Sequence, residues 1–311
     1  MASLKSTPVK KWIDRFIDLT PPRAKSVVMT LFGDAITPHG GRVWLGSLIE
    51  LLAPFGISDR LVRTSVFRLA EEGWLDAQRS GRRSLYALDP RAVRRFEHAY
   101  QRVYAPSDRA WDGQWTLVLA TAADITTEQR TGLRKELLWE GFGQIAPAIF
   151  CHPNADAHTL DEILERVGVR DLAIVSQAAD STTVQARPLR DLVAQYWQLD
   201  AVMAEYKQYL RHFDSLPALL AKVTVLDPEQ AFVLRTLAIH EFRRVQLHDP
   251  QLPLELLPAT WPGKTAYDLC HRIYSATYAA AENHVLAALR REDASAPIAA
   301  PYFHQRFGGL I

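Results

Sequence analysis

Hydrophobic residues in the first hundred positions recur with helical spacing in three consecutive segments. The pattern predicts one helix over about 22–36, a second over about 43–53 and a third over about 58–72. Ser58 suits the start of the third helix, because its hydroxyl can accept a hydrogen bond from a backbone N–H of the first turn. The short turn before Ser58 makes the second and third helices a candidate helix-turn-helix.

Two segments of alternating polarity come next, and they enclose a basic turn that contains glycine. They predict a β-hairpin with strands over about 74–79 and 84–88. A trihelical unit followed by a basic hairpin is typical of a winged helix-turn-helix domain, here over residues 21–90. Residues 1–20 are expected to form a tail or a short helix.

The pattern changes after a helical linker over residues 91–110. Strand-like and helix-like segments alternate over 111–186 in the order β-α-β-α-β, with Q-I-A-P-A-I-F-C interpreted as one strand. This order predicts a small α+β domain of the ferredoxin-like type. The fold class expected for the whole chain is therefore α+β.

From residue 187 the apolar positions follow helical spacing almost throughout, which predicts a helical C-terminal domain over 187–311. The second of its helices is apolar on most faces and is expected to be largely buried. Three long helices are predicted there, over about 189–214, 228–247 and 263–290.

Charge is distributed unevenly along a chain whose net charge is only +1. Residues 1–110 hold 18 Lys and Arg against 11 Asp and Glu, a formal charge of +7, which leaves −6 for residues 111–311. Because electrostatic fields act locally, the basic N-terminal third indicates an anionic partner there. Nucleic acid is the leading candidate, and a membrane surface is the alternative.

The third helix carries arginines among its hydrophobic residues. A turn of about 100° per residue places its apolar side chains and Ser65 in one arc, expected to face the core, and its arginines on the other side. A solvated basic face is the alternative for any single charged helix, but the charge, the motif and the hairpin together favour DNA binding. The inward arc is Leu61, Val62, Ser65, Val66 and Leu69, and Phe67 lies on the arginine side.

Arginine can bind guanine through two hydrogen bonds, and the N-terminal part of a recognition helix approaches the bases. Arginines at a hairpin tip can contact phosphate or the minor groove. The candidate DNA-binding residues are Arg60, Arg63 and Thr64 for bases, Arg68 for phosphate, Ser65 beside them on the helix, and Arg82 and Arg83 on the hairpin.

The stretch S-D-R-L-V-R-T-S-V-F-R-L-A-E-E-G-W-L resembles the recognition helix of the PaaX family of phenylacetic acid catabolism repressors. Further similar segments are S-V-V-M-T-L-F-G-D, V-W-L-G-S-L-I, D-G-Q-W-T-L-V and the long C-terminal run I-H-E-F-R-R-V-Q-L-H-D-P-Q-L-P-L-E-L-L-P-A-T-W-P-G. The resemblance implies a homodimeric repressor of operator DNA, with a winged helix, a central Cas2-like or ferredoxin-like domain and a C-terminal effector and dimerisation domain. It also implies that the effector is phenylacetyl-CoA.

A CoA thioester needs cationic side chains for its phosphates and an apolar slot for its acyl group. Charged residues in the second C-terminal helix have two interpretations. One is an internal ion-pair network, in which Glu241 or Asp249 pairs with Arg243 or Arg244. The other is an effector site, for which the candidates are His240, Arg243, Arg244, Trp261, Lys264 and Arg272.

Other classes of function have little support in the sequence. The pairs Cys151-His152 and Cys270-His271 chelate poorly, because adjacent side chains diverge, so neither a metal nor a cofactor is expected. No nucleotide-binding or nucleophile motif occurs, and no catalytic residue is assigned. Two enzyme alternatives stay open: a metal-dependent nuclease that uses Asp124 of the Cas2-like domain, and an acyl-CoA-processing enzyme.

The composition is that of a soluble globular protein, with 48% hydrophobic and 23% charged residues. The sequence contains no apolar run long enough to span a bilayer and no signal-peptide pattern at its start. Two cysteines do not make a disulfide framework. We therefore expect a cytoplasmic protein with no membrane partner.

Overall fold

A computed structural model describes residues 7–105, 111–179 and 187–310. The predicted α+β class is confirmed. The α-helices are α1 (Thr7–Leu19), α2 (Ala24–Leu31), α3 (Leu45–Leu52), α4 (Asp59–Glu71), α5 (Pro90–Tyr104), α6 (Thr127–Trp139), α7 (Ala157–Val167), α8 (Val193–Tyr196), α9 (Leu199–Phe213), α10 (Leu216–Leu220), α11 (Pro228–Gln246) and α12 (Gly263–Glu292). The strands are β1 (Arg42–Trp44), β2 (Leu75–Ser80), β3 (Arg83–Leu88), β4 (Trp115–Leu119), β5 (Gly143–Ala146), β6 (Ile149–His152) and β7 (Ile174–Ala178).

The chain forms two compact units. The first contains the described parts of 1–106, 206–246 and 263–311, and the second those of 107–205 and 247–262. The predicted domain boundaries stay predictions. None of the helices in the described ranges is long and apolar enough to cross a membrane.

The winged helix lies in the first unit and consists of α2, α3, α4 and a three-stranded sheet of order β1-β3-β2. The predicted hairpin is confirmed as β2 and β3. The prediction that helix two begins near residue 43 was wrong, because Val43 pairs with Tyr86 in strand β1. Gly40 and Gly41 have φ of 88° and 70°, so the chain turns there and enters an extended conformation before α3.

The second unit contains an antiparallel sheet of order β5-β6-β4-β7, with α6 and α7 packed on it. This order and the β-α-β-β-α-β sequence of elements confirm the ferredoxin-like prediction. The segment predicted as one strand is a hairpin, because Ala148 adopts a φ of 63° and reverses the chain between β5 and β6. Leu133 and Leu137 of α6 lie in the core with Ile163 of α7.

The single helix predicted over 189–214 is interrupted. Trp197 is extended, with φ −110° and ψ 126°, and separates α8 from α9. Its indole donates a hydrogen bond to the carbonyl oxygen of Gly141 at 2.7 Å, and its ring fills the space beside Gly143. Anchoring a buried indole in this way outweighs the helical preference of the segment.

Helix α11 is nearly enclosed within the first unit, as its apolar faces predicted. Fifteen of its 19 residues are buried, and its main neighbour is α12. Arg235 lies in the middle of α11 and has no exposed surface. A charge in such a position needs partners inside the protein.

Candidate nucleic-acid interface

Helix α4 is defined by local signals at both ends. The Ser58 hydroxyl accepts a hydrogen bond from the backbone N–H of Leu61 at 3.4 Å, which confirms the predicted cap. At the other end, Gly73 adopts a φ of 71°, and the N–H of Trp74 bonds the carbonyl oxygen of Leu69 at 2.9 Å. Both ends of α4 are therefore specified by residues close in sequence.

One face of α4 is core and the other is exposed. The predicted inward positions Val62, Val66 and Leu69 are all fully buried. Leu61 was wrongly placed in the inward arc, because its side chain is 52% exposed. It lies at the edge of the arc, where the described residues leave about half of its surface uncovered.

The exposed face brings together most of the predicted DNA-contacting side chains of the helix. Arg60, Arg63, Thr64 and Arg68 are all exposed. Ser65 is not part of this surface, because it is buried with 8% exposure and faces the core. Including Ser65 in the DNA-binding set is therefore inconsistent with the geometry.

Arg63 is oriented by an acid one helical turn before it. Its Nε lies 2.5 Å from Oδ1 of Asp59, and a terminal nitrogen lies 3.2 Å from Oδ2. This two-point contact uses one edge of the guanidinium and leaves the other terminal nitrogen pointing away from the acid. Both side chains are more than half exposed, so the pair adds little stability but restricts the direction of Arg63.

The hairpin β2–β3 turns tightly at Gly81 and Arg82. Ser80 pairs with Arg83 across the turn, and Gly81 has a φ of 61°, which fits a two-residue hairpin loop with glycine first. Arg79 and Arg82 are exposed at the tip. The hairpin therefore presents cationic side chains in the manner of a wing.

Arg83 has a second role in this structure. Its guanidinium lies 3.9 Å from the centre of the Trp44 ring and donates to the backbone oxygen of Glu292 at 2.7 Å. It also forms a 3.0 Å ion pair with the carboxylate of Glu292 at the end of α12. Arg83 thus connects the hairpin to β1 through its contact with Trp44 and to the last turn of α12 through its bonds to Glu292.

A buried polar cluster lies beneath the winged helix, centred on Asp34. Oδ1 of Asp34 accepts hydrogen bonds from the hydroxyls of Tyr104 and Tyr274 at 2.6 and 2.7 Å. Arg306 donates to the same oxygen at 3.0 Å and also contacts the Tyr274 hydroxyl. Nε of Arg235 lies 3.2 Å from the other oxygen, Oδ2. The winged helix is joined to the C-terminal helices of the first unit through this cluster.

The cluster extends to Glu282 of α12. Its Oε1 accepts from Arg235 at 2.6 Å, and its Oε2 contacts Nε2 of His39 at 2.8 Å. Burial by itself raises the pKa of Glu282, but Arg235 and His39 outweigh this effect and lower the pKa to about 2. Glu282 is therefore ionised at neutral pH and balances part of the charge of Arg235.

The candidate effector residues have different surroundings. Arg244 pairs with Glu241 at 3.2 Å, as the ion-pair interpretation expected, and Lys264 pairs with Asp268 at 2.9 Å. Arg272 is exposed. Trp261 belongs to the second unit, where it packs against the aromatic cluster around Trp115 and Trp197.

His240 and Arg243 lie in a more enclosed part of α11. Nδ1 of His240 is 2.9 Å from the hydroxyl of Thr30, and burial, helped by Arg243 and Arg244, lowers the pKa of His240 to about 4. Burial also lowers the pKa of Arg243, and the smaller, opposite effect of Tyr104 does not cancel this shift. Within the described ranges, Arg243 makes no hydrogen bond and no ion pair. It is a desolvated cation without a carboxylate.

The residues considered for metal or nuclease chemistry are dispersed. Asp124 is exposed in the turn after β4. Cys151 and Cys270 are buried, and burial raises the pKa of each thiol to about 12. Among the residues that the structure describes, no group of three or more His, Cys, Asp or Glu side chains could hold a metal ion.

The sequence patterns did not predict the Asp34 cluster or the contacts of Arg83 with Trp44 and Glu292. A partial signal was present, since Arg235 lies inside A-F-V-L-R-T-L-A-I, where a helix that is apolar on all sides must bury its charge. No such signal pointed to Arg306, because its partners lie up to 273 positions away in the chain.

Comparison with known proteins gives consistent results along the chain. Residues 23–92 match the model of a PaaX-like protein, 108–193 that of the PaaX protein central Cas2-like domain, and 197–287 that of the PaaX-like protein C-terminal domain. The chain is 37% identical over 300 residues to the transcriptional repressor PaaX of Escherichia coli (strain K12), covering 96% of this chain and 94% of that protein.

A solved structure is also similar. The uncharacterized protein Rv0674 from Mycobacterium tuberculosis has 25% sequence identity and a TM-score of 0.50, covering 83% of this chain and 96% of its own. The three family models match successive regions of the chain, and the repressor aligns with it over nearly the whole length. These matches show that the resemblance seen in the sequence reflects homology. The chain belongs to the PaaX family.

Proposed function

We propose that this protein is a transcriptional repressor that binds double-stranded operator DNA through α4 and the β2–β3 hairpin. The observation that carries the proposal is the exposed, arginine-rich face of α4 on a helix whose other face is core. The relative named as a transcriptional repressor supports it. On the same grounds of kinship we propose that the regulated genes are those of phenylacetic acid catabolism.

The geometry of α4 supports specific roles for its side chains. Arg63 is held by Asp59 along one edge and can direct its remaining terminal N–H groups to guanine in the major groove. Arg60 lies one turn earlier, near the helix N-terminus where base contacts concentrate. Arg68 lies one turn further on and is proposed to meet phosphate, as is Arg82 at the hairpin tip.

We propose that the repressor acts as a homodimer, so that two copies of α4 read two half-sites. Their spacing would be one helical turn of DNA or a multiple of it. The predicted dimerisation region after residue 187 is the basis for this part of the proposal. Equilibrium sedimentation of the free protein tests it directly: a monomer at the concentration that occupies the operator would refute it.

The proposed effector is an acyl-CoA, namely phenylacetyl-CoA. Support comes from Arg243, a desolvated guanidinium that makes no ion pair in the described part of the chain and therefore suits an anionic ligand group. Arg244 and Lys264 already have carboxylate partners. For the ligand to release DNA, it must bind the state that cannot bind DNA more tightly than the competent state.

The first experiment measures operator binding by gel shift. Arg63→Ala should weaken specific binding by about 5- to 150-fold, the loss expected for one bidentate guanine contact. Arg170→Ala is the matched control, because Arg170 is also an exposed arginine in an ion pair with an aspartate, at 2.8 Å from Asp161. Equal affinity of wild type and Arg63→Ala would refute the recognition-helix assignment. Affinity should also fall steeply with salt.

The second experiment is calorimetry with phenylacetyl-CoA, phenylacetate and free CoA. Binding of the thioester that is lost in Arg243→Ala and kept in Arg244→Ala is the expected result. The two arginines are neighbours on α11, but Arg244 is nearly half exposed and paired with Glu241. If none of the three compounds binds the wild-type protein, the effector proposal is refuted while the DNA-binding proposal stands.

A further inference from the structure

The exposed face of α4 contains two large apolar side chains. Phe67 is 60% exposed and Leu61 is 52% exposed, although the other large apolar side chains of this helix are fully buried. The exposure of Phe67 does not result from a poorly packed helix, because Val62, Val66 and Leu69 fill the core. Phe67 therefore needs an explanation outside the fold.

The Phe67 ring points into the arginine-rich surface. It follows Arg63 by four residues and Thr64 by three, and side chains with these separations are neighbours on a helix surface. Within the described residues it has no aromatic ring contact. It consequently does not pack on an aromatic side chain of the hairpin, and it is available to a ligand that approaches the arginines.

The charge of this surface selects the partner. Three arginines surround the ring on one helix face, so the complementary partner is a polyanion, and duplex DNA is the polyanion into which an α-helix fits. The major-groove edge of a base pair is made of hydrogen-bond donors and acceptors, with one apolar exception, the C5 methyl group of thymine.

We infer that Phe67 is a specificity-determining residue that reads thymine through its C5 methyl group. This inference rests on the proposed function. The helix geometry also gives the position of the base. Phe67 lies four residues after Arg63, about 6 Å along the axis, and base pairs are about 3.4 Å apart. The thymine is therefore within about two base pairs of the base that Arg63 contacts.

The test removes the methyl group without changing base pairing. Duplexes bound by the full-length protein are selected from a random-sequence pool, and each thymine of the selected site is replaced in turn by deoxyuridine. At one position of the half-site, wild-type affinity should fall about fourfold, the effect of losing one buried methyl group. Phe67→Ala should bind the thymine site more weakly and should not distinguish thymine from deoxyuridine there.

Two controls complete the design. Ile298→Ala, which truncates a side chain that is 70% exposed outside α4, should keep the wild-type response to deoxyuridine. 5-Methylcytosine at the sensitive position in a C·G pair should restore part of the affinity to wild type but not to Phe67→Ala. Folding is expected to be retained, since alanine favours helix and the ring is exposed.

The possible outcomes separate the two proposals. If wild type is insensitive at every thymine, or if Phe67→Ala keeps the full thymine preference, the inference is refuted while the repressor proposal stands. If Phe67→Ala binds DNA normally but changes the sedimentation of the free protein, the ring belongs to a protein contact and the inference is also refuted. If no sequence is enriched from the pool, the proposed function itself fails.

Discussion

Replacing Arg235 by methionine should destabilise the first unit substantially. Arg235 has no exposed surface, and it faces two carboxylates, with 3.2 Å to Oδ2 of Asp34 and 2.6 Å to Oε1 of Glu282. Burial alone lowers the pKa of Arg235, but these carboxylates and Tyr274 reverse the effect and raise it overall. The guanidinium is therefore charged, and its removal leaves the carboxylates of Asp34 and Glu282 with less compensating positive charge.

The magnitude follows from what remains after the substitution. Removing one partner of a buried ion pair costs about 3–5 kcal/mol. Arg306 and two tyrosine hydroxyls still contact Oδ1 of Asp34, so we expect a loss near the lower limit, about 3 kcal/mol. The 3.2 Å contact of Nε with Oδ2 does not qualify as a hydrogen bond, which also favours the lower value.

Urea unfolding followed by far-ultraviolet circular dichroism measures the effect. Arg170→Met is the control, because it removes an arginine from an exposed pair and should cost less than about 1 kcal/mol. The double variant Arg235→Met/Glu282→Gln should lose less than the sum of its single variants, since each loses the same contact. A loss for Arg235→Met no larger than for Arg170→Met would refute the reasoning about the cluster.

Three further predictions concern other parts of the molecule. The pKa of His240 is about 4 in the folded protein and near 6.5 in the unfolded chain. The contribution of His240 to the free energy of unfolding is therefore fully present above pH 6.5, and it is lost, by about 3 kcal/mol, as the pH falls towards 4. His240→Gln should flatten this dependence in urea midpoints measured at pH 7 and pH 5. Glu292→Ala removes the 3.0 Å ion pair between Arg83 and α12 but keeps the hydrogen bond of Arg83 to the backbone oxygen at this position, so the hairpin is held less firmly; gel shift should show weaker operator binding, while thermal unfolding should show little change. Gly141→Ala should destabilise the second unit by about 1–3 kcal/mol, because φ is +89° and a Cβ would lie 2.6 Å from the backbone oxygen of Pro250; an unchanged urea midpoint would contradict this.

The local parts of the fold could be predicted from the sequence. Ser58, the apolar spacing of α4 and the glycine of the basic turn act within a few residues, so the helix, its cap and the hairpin follow from periodicity and turn chemistry. Leu61 marks the limit of this reasoning. A helical wheel gives the direction of a side chain, but the presence of a neighbour to cover it depends on the tertiary fold.

The misplaced elements have a common physical cause. Strand β1 exists because Val43 pairs with Tyr86, more than forty residues later, and α8 ends because Trp197 is anchored to Gly141. Each interaction overrides a local helical pattern through a partner distant in sequence. The break of a helix at a buried tryptophan is visible only once the site that receives the indole is known.

The candidate effector residues show the same limit. Sequence proximity grouped Arg243 with Arg244, but Arg244 has a carboxylate one turn away and Arg243 does not. Burial and pairing distinguish two adjacent arginines that composition treats as equivalent. Arg244 fits the ion-pair interpretation, and the effector contact of Arg243 stays a prediction.

Helix α11 gives the proposed switch a physical route. Arg235, His240 and Arg243 lie along this one buried helix, and the first two contact Asp34 and Thr30, which belong to the N-terminal part of the winged helix. A ligand anion that engages Arg243 would oppose the effect of this arginine on the pKa of His240, which lies one turn away, while burial would still keep that pKa low. Because packed cores change between discrete arrangements, we propose that a ligand bound at α11 acts on the winged helix through the contacts of this helix with Asp34 and Thr30.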